Sequence, residues 1–353
     1  MRPAIASIRL QHLIHNYRLL HLRTGSAEVM AVVKANAYGH DLALVAPALY
    51  ADGCRSFAVT DADEGARLRP LIGNDAKITL LSGVFDAEDV ALVLQHCLTP
   101  VVTETFHLQW LAAEGFDAEV WLKVDTGMQR LGASDPLTLL QQCRQSSIKV
   151  AGVMSHLACA DEPEHPMNQT QLQAFKDVLQ SLSEPLPASL LNSAGLVIMA
   201  NETFDVVRPG LALYGIEPLV EQPMGLKPVM QLSAQVMQVR QVRRGVSISY
   251  GASYVAPRDM SVALVALGYG DGLPRALSNG GDAMYQGQRL SIVGRICMDY
   301  CLLDCTDTGL QQGEAVMFWG DTLPVTDVAQ RMDTIPYTLT TGIQSRVFRR
   351  AIR

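Results

Sequence analysis

Lys34 closes the apolar run of "VMAVVKANAYGH" (29–40), an unusual place for an ammonium group. A lysine leaving an apolar wall is desolvated, which lowers its pKa and frees the neutral amine as nucleophile or base. Tyr38 follows in the same stretch. Further on, "WLKVDTGMQRLG" carries Lys123 and Arg130, and "KVAGVMSH" ends in His156. "LLNSAG" holds Asn192 and Ser193, and "VVRPGLALYG" turns at Arg208, Pro209 and Gly210. Singly, each has a plain alternative: a snorkelling surface lysine, a structural histidine, a turn. Their coincidence at the ends of successive apolar runs makes them a candidate site.

The backbone N–H groups of Gly210 and Leu211, with the hydroxyls of Ser193 and Tyr38, suit a phosphate. A reactive lysine beside a phosphate cradle points to pyridoxal 5'-phosphate as the expected cofactor. The seven cysteines (54, 97, 143, 159, 297, 301, 305) are unevenly scattered, and no histidine cluster completes a zinc site near Cys297, Cys301 and Cys305. No metal is expected, and the thiols are expected to be reduced, in a cytoplasm.

These residues need elements to position them. The first two-thirds of the chain alternates short β-branched runs with helical stretches: "SFAVT" precedes "DADEGARLRPLIG", and "KITLLSG" precedes "DAEDVALVLQHC". About eight such units follow one another, which predicts an α/β fold with a parallel (β/α)8 TIM-type barrel; a doubly wound open sheet is the alternative. Working residues in either fold come from the carboxyl ends of the strands. Asp61 reads as a helix N-cap, with Glu64 three residues on completing a capping-box-like start. After "EQPMGLKP" the runs become short, alternating and separated by Gly and Asp. The expected division is a barrel over 1–225 and a mostly-β C-terminal domain over 226–353.

Composition narrows the partners. With 48% hydrophobic and 18% charged residues the chain is globular rather than disordered. A net charge of −7 without basic runs argues against nucleic acid and anionic membranes. The stretch "MRPAIASIRLQHLIHNYRLL" lacks the apolar core of a signal peptide, and no run suggests a membrane span.

Eight motifs, in order across both expected domains, resemble the alanine racemase family. They are "VVKANAYGH" (32–40), "LKVDTGMQRLG" (122–132), "VMSHLA" (153–158), "LNSAG" (191–195), "VRPGLALYG" (207–215), "SYGASY" (249–254), "LGYGDGLPR" (267–275) and "VGRICMD" (293–299). The resemblance implies a head-to-tail homodimer with shared active sites that interconverts L- and D-alanine and supplies D-alanine, a peptidoglycan precursor. It further implies that Lys34 holds pyridoxal phosphate covalently and acts as one base. Tyr250, from the partner subunit, is then the base on the opposite face. Arg208 would meet the pyridine nitrogen, and His156 would link Arg208 to Tyr250. Arg130 and the Met298 N–H would bind the substrate carboxylate, Tyr269 and Asp299 would line the substrate entrance, and Lys123 would be a candidate for carbamylation. Ser345 departs from the family, standing where many members place a tyrosine that touches the phosphate.

Two bases suit racemisation, because a proton must leave one face of the α-carbon and another arrive on the other. A phenol ordinarily ionises near ~10, so a tyrosine base needs positive charge nearby, which Arg130 and the His156–Arg208 chain would supply. Other readings are a broader racemase for serine or basic amino acids, a non-catalytic pyridoxal phosphate carrier, and a decarboxylase. A carrier would need neither Tyr250 nor the C-terminal domain. A decarboxylase would be expected to put a carboxylate where this chain offers Arg208.

Overall fold

The computed structural model describes residues 3–352. Seven parallel strands follow one another in chain order: Ala31–Val32, Ser56–Val59, Lys77–Leu80, Thr99–Val102, Glu119–Lys123, Lys149–Met154 and Ala188–Ser189. An eighth, Val206–Val207, pairs in parallel with Glu28–Val29, which runs directly into the first. Hydrogen bonds from Met30 N to Val207 O (2.9 Å) and Val32 N to Pro209 O (3.1 Å) extend that pairing. On the other side, Asp205 N donates to Ala188 O (3.1 Å) and Arg208 N to Leu191 O (2.9 Å), closing the ring. The eight predicted runs are these eight strands, and the helices between them supply the crossovers.

Both faces of the ring are apolar, so the two-residue period of a strand is hidden in the sequence but clear in the packing. Met30, Val32, Ala58, Val101, Trp121, Met154 and Val206 form one cluster. Their chain neighbours Ala31, Phe57, Val59, Val102, Val120, Leu122, Val153 and Val207 belong to the larger core against the helices. The first set is the barrel interior, a packed layer rather than a channel.

The C-terminal domain is mostly strands, as expected. Its long strand Met230–Val242 pairs antiparallel with Met260–Val265 and Ala315–Trp319. The chain's first strand, Ala4–Arg9, also joins this sheet, antiparallel to Met230–Val242 and parallel to Phe348–Ile352. The expected division near 225 therefore leaves the first strand on the barrel side in sequence and in the C-terminal sheet in space. Ala4, Ala6 and Ile8 are fully buried there, which is the physical reason for its placement. The helix Pro336–Gly342 returns to the barrel and packs on the turn after Lys34.

Candidate active site

Interior parity carries straight into the chemistry. Two residues beyond Val32 lies Lys34; two beyond Trp121, Lys123; two beyond Met154, His156; two beyond Val206, Arg208. Each polar residue is the next inward position at the carboxyl end of its strand, so all four meet at one mouth of the barrel.

Their mutual electrostatics reflect that convergence. Burial lowers the Lys34 pKa, Arg130 lowers it further, and Glu64 opposes both. Lys123, nearly fully buried, is pushed down to about 8 by burial and then by Arg208, Arg130 and Lys34. Burial, followed by the same cationic neighbours, holds His156 well below its ordinary range, so it is neutral at pH 7. Burial lowers Arg208 to about 10, which leaves it charged. Its guanidinium donates to Ser189 Oγ, to Ser155 O and, at 3.2 Å, to Leu190 O, with His156 Nδ1 3.5 Å from Nη2.

The cradle is built from the same strand ends. Ser193 Oγ accepts from Gly210 N (3.0 Å) and Ala212 N (3.2 Å), and Leu211 opens the short turn Leu211–Tyr214. A Cβ on residue 210 would come within 2.3 Å of Tyr38 Oη, so glycine there lets the phenol approach the backbone. The Tyr38 ring lies 4.9 Å from that of Tyr214 and 5.6 Å from that of Tyr337. Asn192 Oδ1 accepts from Gly195 N at 2.8 Å, a local helix-start bond that holds the side chain at the end of its strand. Ser345 is exposed, and it is Tyr337 from the preceding helix whose ring reaches Tyr38.

Lys34 is presented by an uncommon backbone. Ala35, Asn36, Ala37 and Tyr38 all have φ between 52° and 55°, one turn of left-handed helix. Such a conformation costs ~1–2 kcal/mol per non-glycine residue, so neighbouring bonds must hold it. Ala37 N donates to Val33 O (2.9 Å), Gly39 N to Ala35 O (3.0 Å), and Asn36 Oδ1 accepts from Leu42 N (2.8 Å). His40, buried and pushed down to about 4, bonds through Nδ1 to Tyr38 O at 3.0 Å.

The remaining predicted residues gather on the C-terminal domain. Tyr250 is 72% exposed and Met298 54%, with Tyr269 exposed beside them. Tyr269 N donates to Cys297 O (3.0 Å) and Gly270 N to Met298 O (2.8 Å), and Arg346 bridges Asp271 and Asp299. Ser249 Oγ donates to Arg295 O (2.7 Å), attaching the Tyr250 turn to the same patch. Among the described residues, no hydrogen bond, ion pair or ring contact joins Tyr250, Tyr269 or Met298 to Lys34, Lys123, Arg130, His156 or Arg208. The sites form two half-clusters within one chain.

Sequence reading missed Ser189, Tyr337 and the role of Glu64. Asp61 caps its helix as predicted, accepting from Glu64 N at 3.0 Å. The Glu64 carboxylate, however, accepts from Thr60 N (2.8 Å) and Ala35 N (2.6 Å) rather than closing the box on Asp61 N.

Comparison with known proteins covers the whole molecule. Residues 8–218 match the model of the alanine racemase N-terminal domain, and 229–351 that of the alanine racemase C-terminal domain. The alanine racemase of Rhizobium meliloti is 39% identical, over 97% of this chain and 95% of its own length. That of Azoarcus is 40% identical over 99% of both. The crystal structure of alanine racemase from Bartonella henselae, with covalently bound pyridoxal phosphate, superposes with a TM-score of 0.92 at 34% identity over 100% of both chains. The biosynthetic enzyme of Pseudomonas aeruginosa gives 0.92 at 37%, again over 100% of both. With both halves matched in order and at this identity, the chain belongs to the alanine racemase family.

Proposed function

We propose that this protein interconverts L- and D-alanine with pyridoxal phosphate, using Lys34 and Tyr250 as bases on opposite faces. The observation that carries this reading is the convergence of Lys34, Lys123, His156 and Arg208 on one barrel mouth beside the Ser193–Gly210–Ala212 cradle. The residues present fit the cofactor: a desolvated amine, a Ser193 hydroxyl fixed by the N–H groups of Gly210 and Ala212, the Tyr38 hydroxyl, and a glycine whose Cβ would collide with Tyr38. Held there, pyridoxal phosphate would supply an electron sink for the pair released from the α-carbon.

The chain's own residues do the rest. Lys34, whose pKa is lowered by burial, removes the proton of the D-isomer, and Tyr250 that of the L-isomer. Arg208, charged and yielding no proton at neutral pH, would face the ring nitrogen of the cofactor and leave that nitrogen uncharged. An uncharged ring nitrogen would weaken the electron sink and so disfavour side reactions. Neutral His156 passes polarisation from Arg208 towards Tyr250. Arg130 and the Met298 N–H hold the substrate carboxylate, and Tyr269 and Asp299 line the entrance. A carbamate on Lys123 would turn one cation among several into an anion facing Arg130, and the lowered amine pKa favours its formation.

A homodimer is part of the reading, because Tyr250 must come from a second copy. The exposed patch of Tyr250, Tyr269, Met298 and Tyr300 supports it. The barrel over 1–225 then supplies the cofactor site and 226–353 the second base. A cytoplasmic location belongs to the same reading; all seven cysteines are free thiols.

The test is chiral analysis of L-alanine incubated with holoenzyme, with L-serine and L-lysine alongside. Alanine should reach an equal mixture while the others lag, and Lys34→Ala should lose ~10³-fold or more. Equal rates on serine or lysine would overturn the substrate assignment. Bound cofactor without racemisation of any of the three would overturn the enzyme itself.

A further inference from the structure

The peptide that follows Lys34 is held by a carboxylate from the neighbouring strand end. Glu64 sits in the first turn of the helix Ala62–Leu68, after the second barrel strand. One of its oxygens accepts from Thr60 N at 2.8 Å, at the end of that strand. The other accepts from Ala35 N at 2.6 Å, the first residue of the left-handed turn and the one bonded to Lys34. The carboxylate thus bridges the ends of the first two strands. No ion pair neutralises it among the described residues, where both oxygens take uncharged backbone donors.

We propose that Glu64 is a positioning residue for Lys34: it clamps the Lys34–Ala35 peptide and keeps one fixed negative charge beside the amine. This rests on the reading of Lys34 as cofactor lysine and base. A capping box would send a glutamate at this position to the Asp61 N–H. Here the carboxylate is diverted across to the reactive lysine instead. The diversion matters because the mouth is crowded with cations: Arg130 and burial both push Lys34 towards a weak base, and Glu64 is the charge that opposes them. A base that must take a proton from carbon needs basicity as well as neutrality. Without Glu64, the amine would be a poorer proton acceptor, and the left-handed turn would lose the bond that anchors its first N–H.

The experiment uses holoenzyme carrying Glu64→Gln and Glu64→Asp, with rates in both directions followed against pH. In the D-to-L direction Lys34 must be unprotonated, and in the L-to-D direction protonated. For Glu64→Gln, the ascending limb of D-to-L kcat and the descending limb of L-to-D kcat should move together to lower pH by about half a unit or more. A merely structural role would scale both rates without moving either limb. Release of cofactor on dialysis, read by its visible absorbance, should quicken by about tenfold through loss of the anchoring bond. Glu64→Asp keeps the charge but shortens the reach, so its limbs should stay near those of the parent while release still quickens. If Glu64→Gln leaves limbs and release unchanged, the inference is overturned. If Glu64→Gln fails to fold, Glu64→Asp decides: limbs in place with faster release support it, and unchanged release overturns it. Racemisation surviving Lys34→Ala would instead sink the reading of Lys34, whatever the Glu64 variants do.

Discussion

Lys123 shows how a single side chain can report on its own chemical state. Its ammonium pKa falls from an ordinary 10.5 to about 8 in the folded protein, chiefly through burial. The folded state therefore holds the proton less tightly than the unfolded chain. Stability gained by deprotonation is complete above pH 10.5 and disappears as pH falls through 8, so at pH 7 a free ammonium costs about 3 kcal/mol. Lys123→Met should then raise the melting temperature at pH 7 in bicarbonate-free buffer. If the lysine carries a carbamate, the sign reverses in bicarbonate: the anion pairs with Arg130, and Lys123→Met is the less stable protein. Calorimetry of both proteins, with and without bicarbonate, distinguishes the two states; no dependence on bicarbonate would count against the modification. Lys123 was legible as a candidate because it ends a strand. Its inward direction was not, since "WLKV" is apolar on both sides and shows no alternation. Only the packing of Trp121 inside the barrel fixes the parity.

The turn Ala35–Tyr38 is the element that aims Lys34, and its conformation could not be read from composition. "KANAY" is a good right-handed helix by propensity, and only Gly39 and Asn36 hint at anything left-handed. A β-branched residue at a φ near +52° is a genuine outlier, so Ala35→Val should cost about 1–2 kcal/mol and lower activity more than stability. Gly39 makes a different demand. Its φ is +81°, and a Cβ there would lie 2.0 Å from Thr340 O in the helix packed on the turn. Gly39→Ala must push barrel and C-terminal helix apart, and an expected loss of several kcal/mol would show in a denaturation midpoint. A midpoint unchanged by Gly39→Ala would mean that this contact is not tight in solution. Elements with a long apolar run, such as the eight barrel strands, were readable because buried parallel strands leave a strong local signature. Ala4–Arg9 was not: six residues running straight into a helix carry no sign of which sheet they join. That choice is made by Phe348–Ile352 and Met230–Val242, hundreds of residues away.

At the scale of the molecule, the separation of the two half-clusters makes the number of copies per active site a testable quantity. Lys34 lies at the barrel mouth, while Tyr250 lies exposed on the C-terminal domain with no contact to the barrel lysine among the described residues. If each site takes Lys34 from one copy and Tyr250 from another, two inactive variants can repair each other. Lys34→Ala keeps Tyr250, and Tyr250→Phe keeps Lys34. A mixed dimer then holds one site with both bases and one with neither. Random pairing of equal amounts makes about half the dimers mixed, so about a quarter of all sites should be restored. The expected result is near-zero activity for each variant alone and about a quarter of the parent activity after the two are mixed under conditions that allow exchange. Were each site built within one chain, mixing would restore nothing, because no copy would contain both bases. A mass measurement of the mixed population separates failed exchange from failed complementation. Complementation also constrains the interface: the surface bearing Tyr250, Tyr269 and Met298 must cover the partner's barrel mouth, and a charge introduced at Met298 should weaken association and activity in parallel.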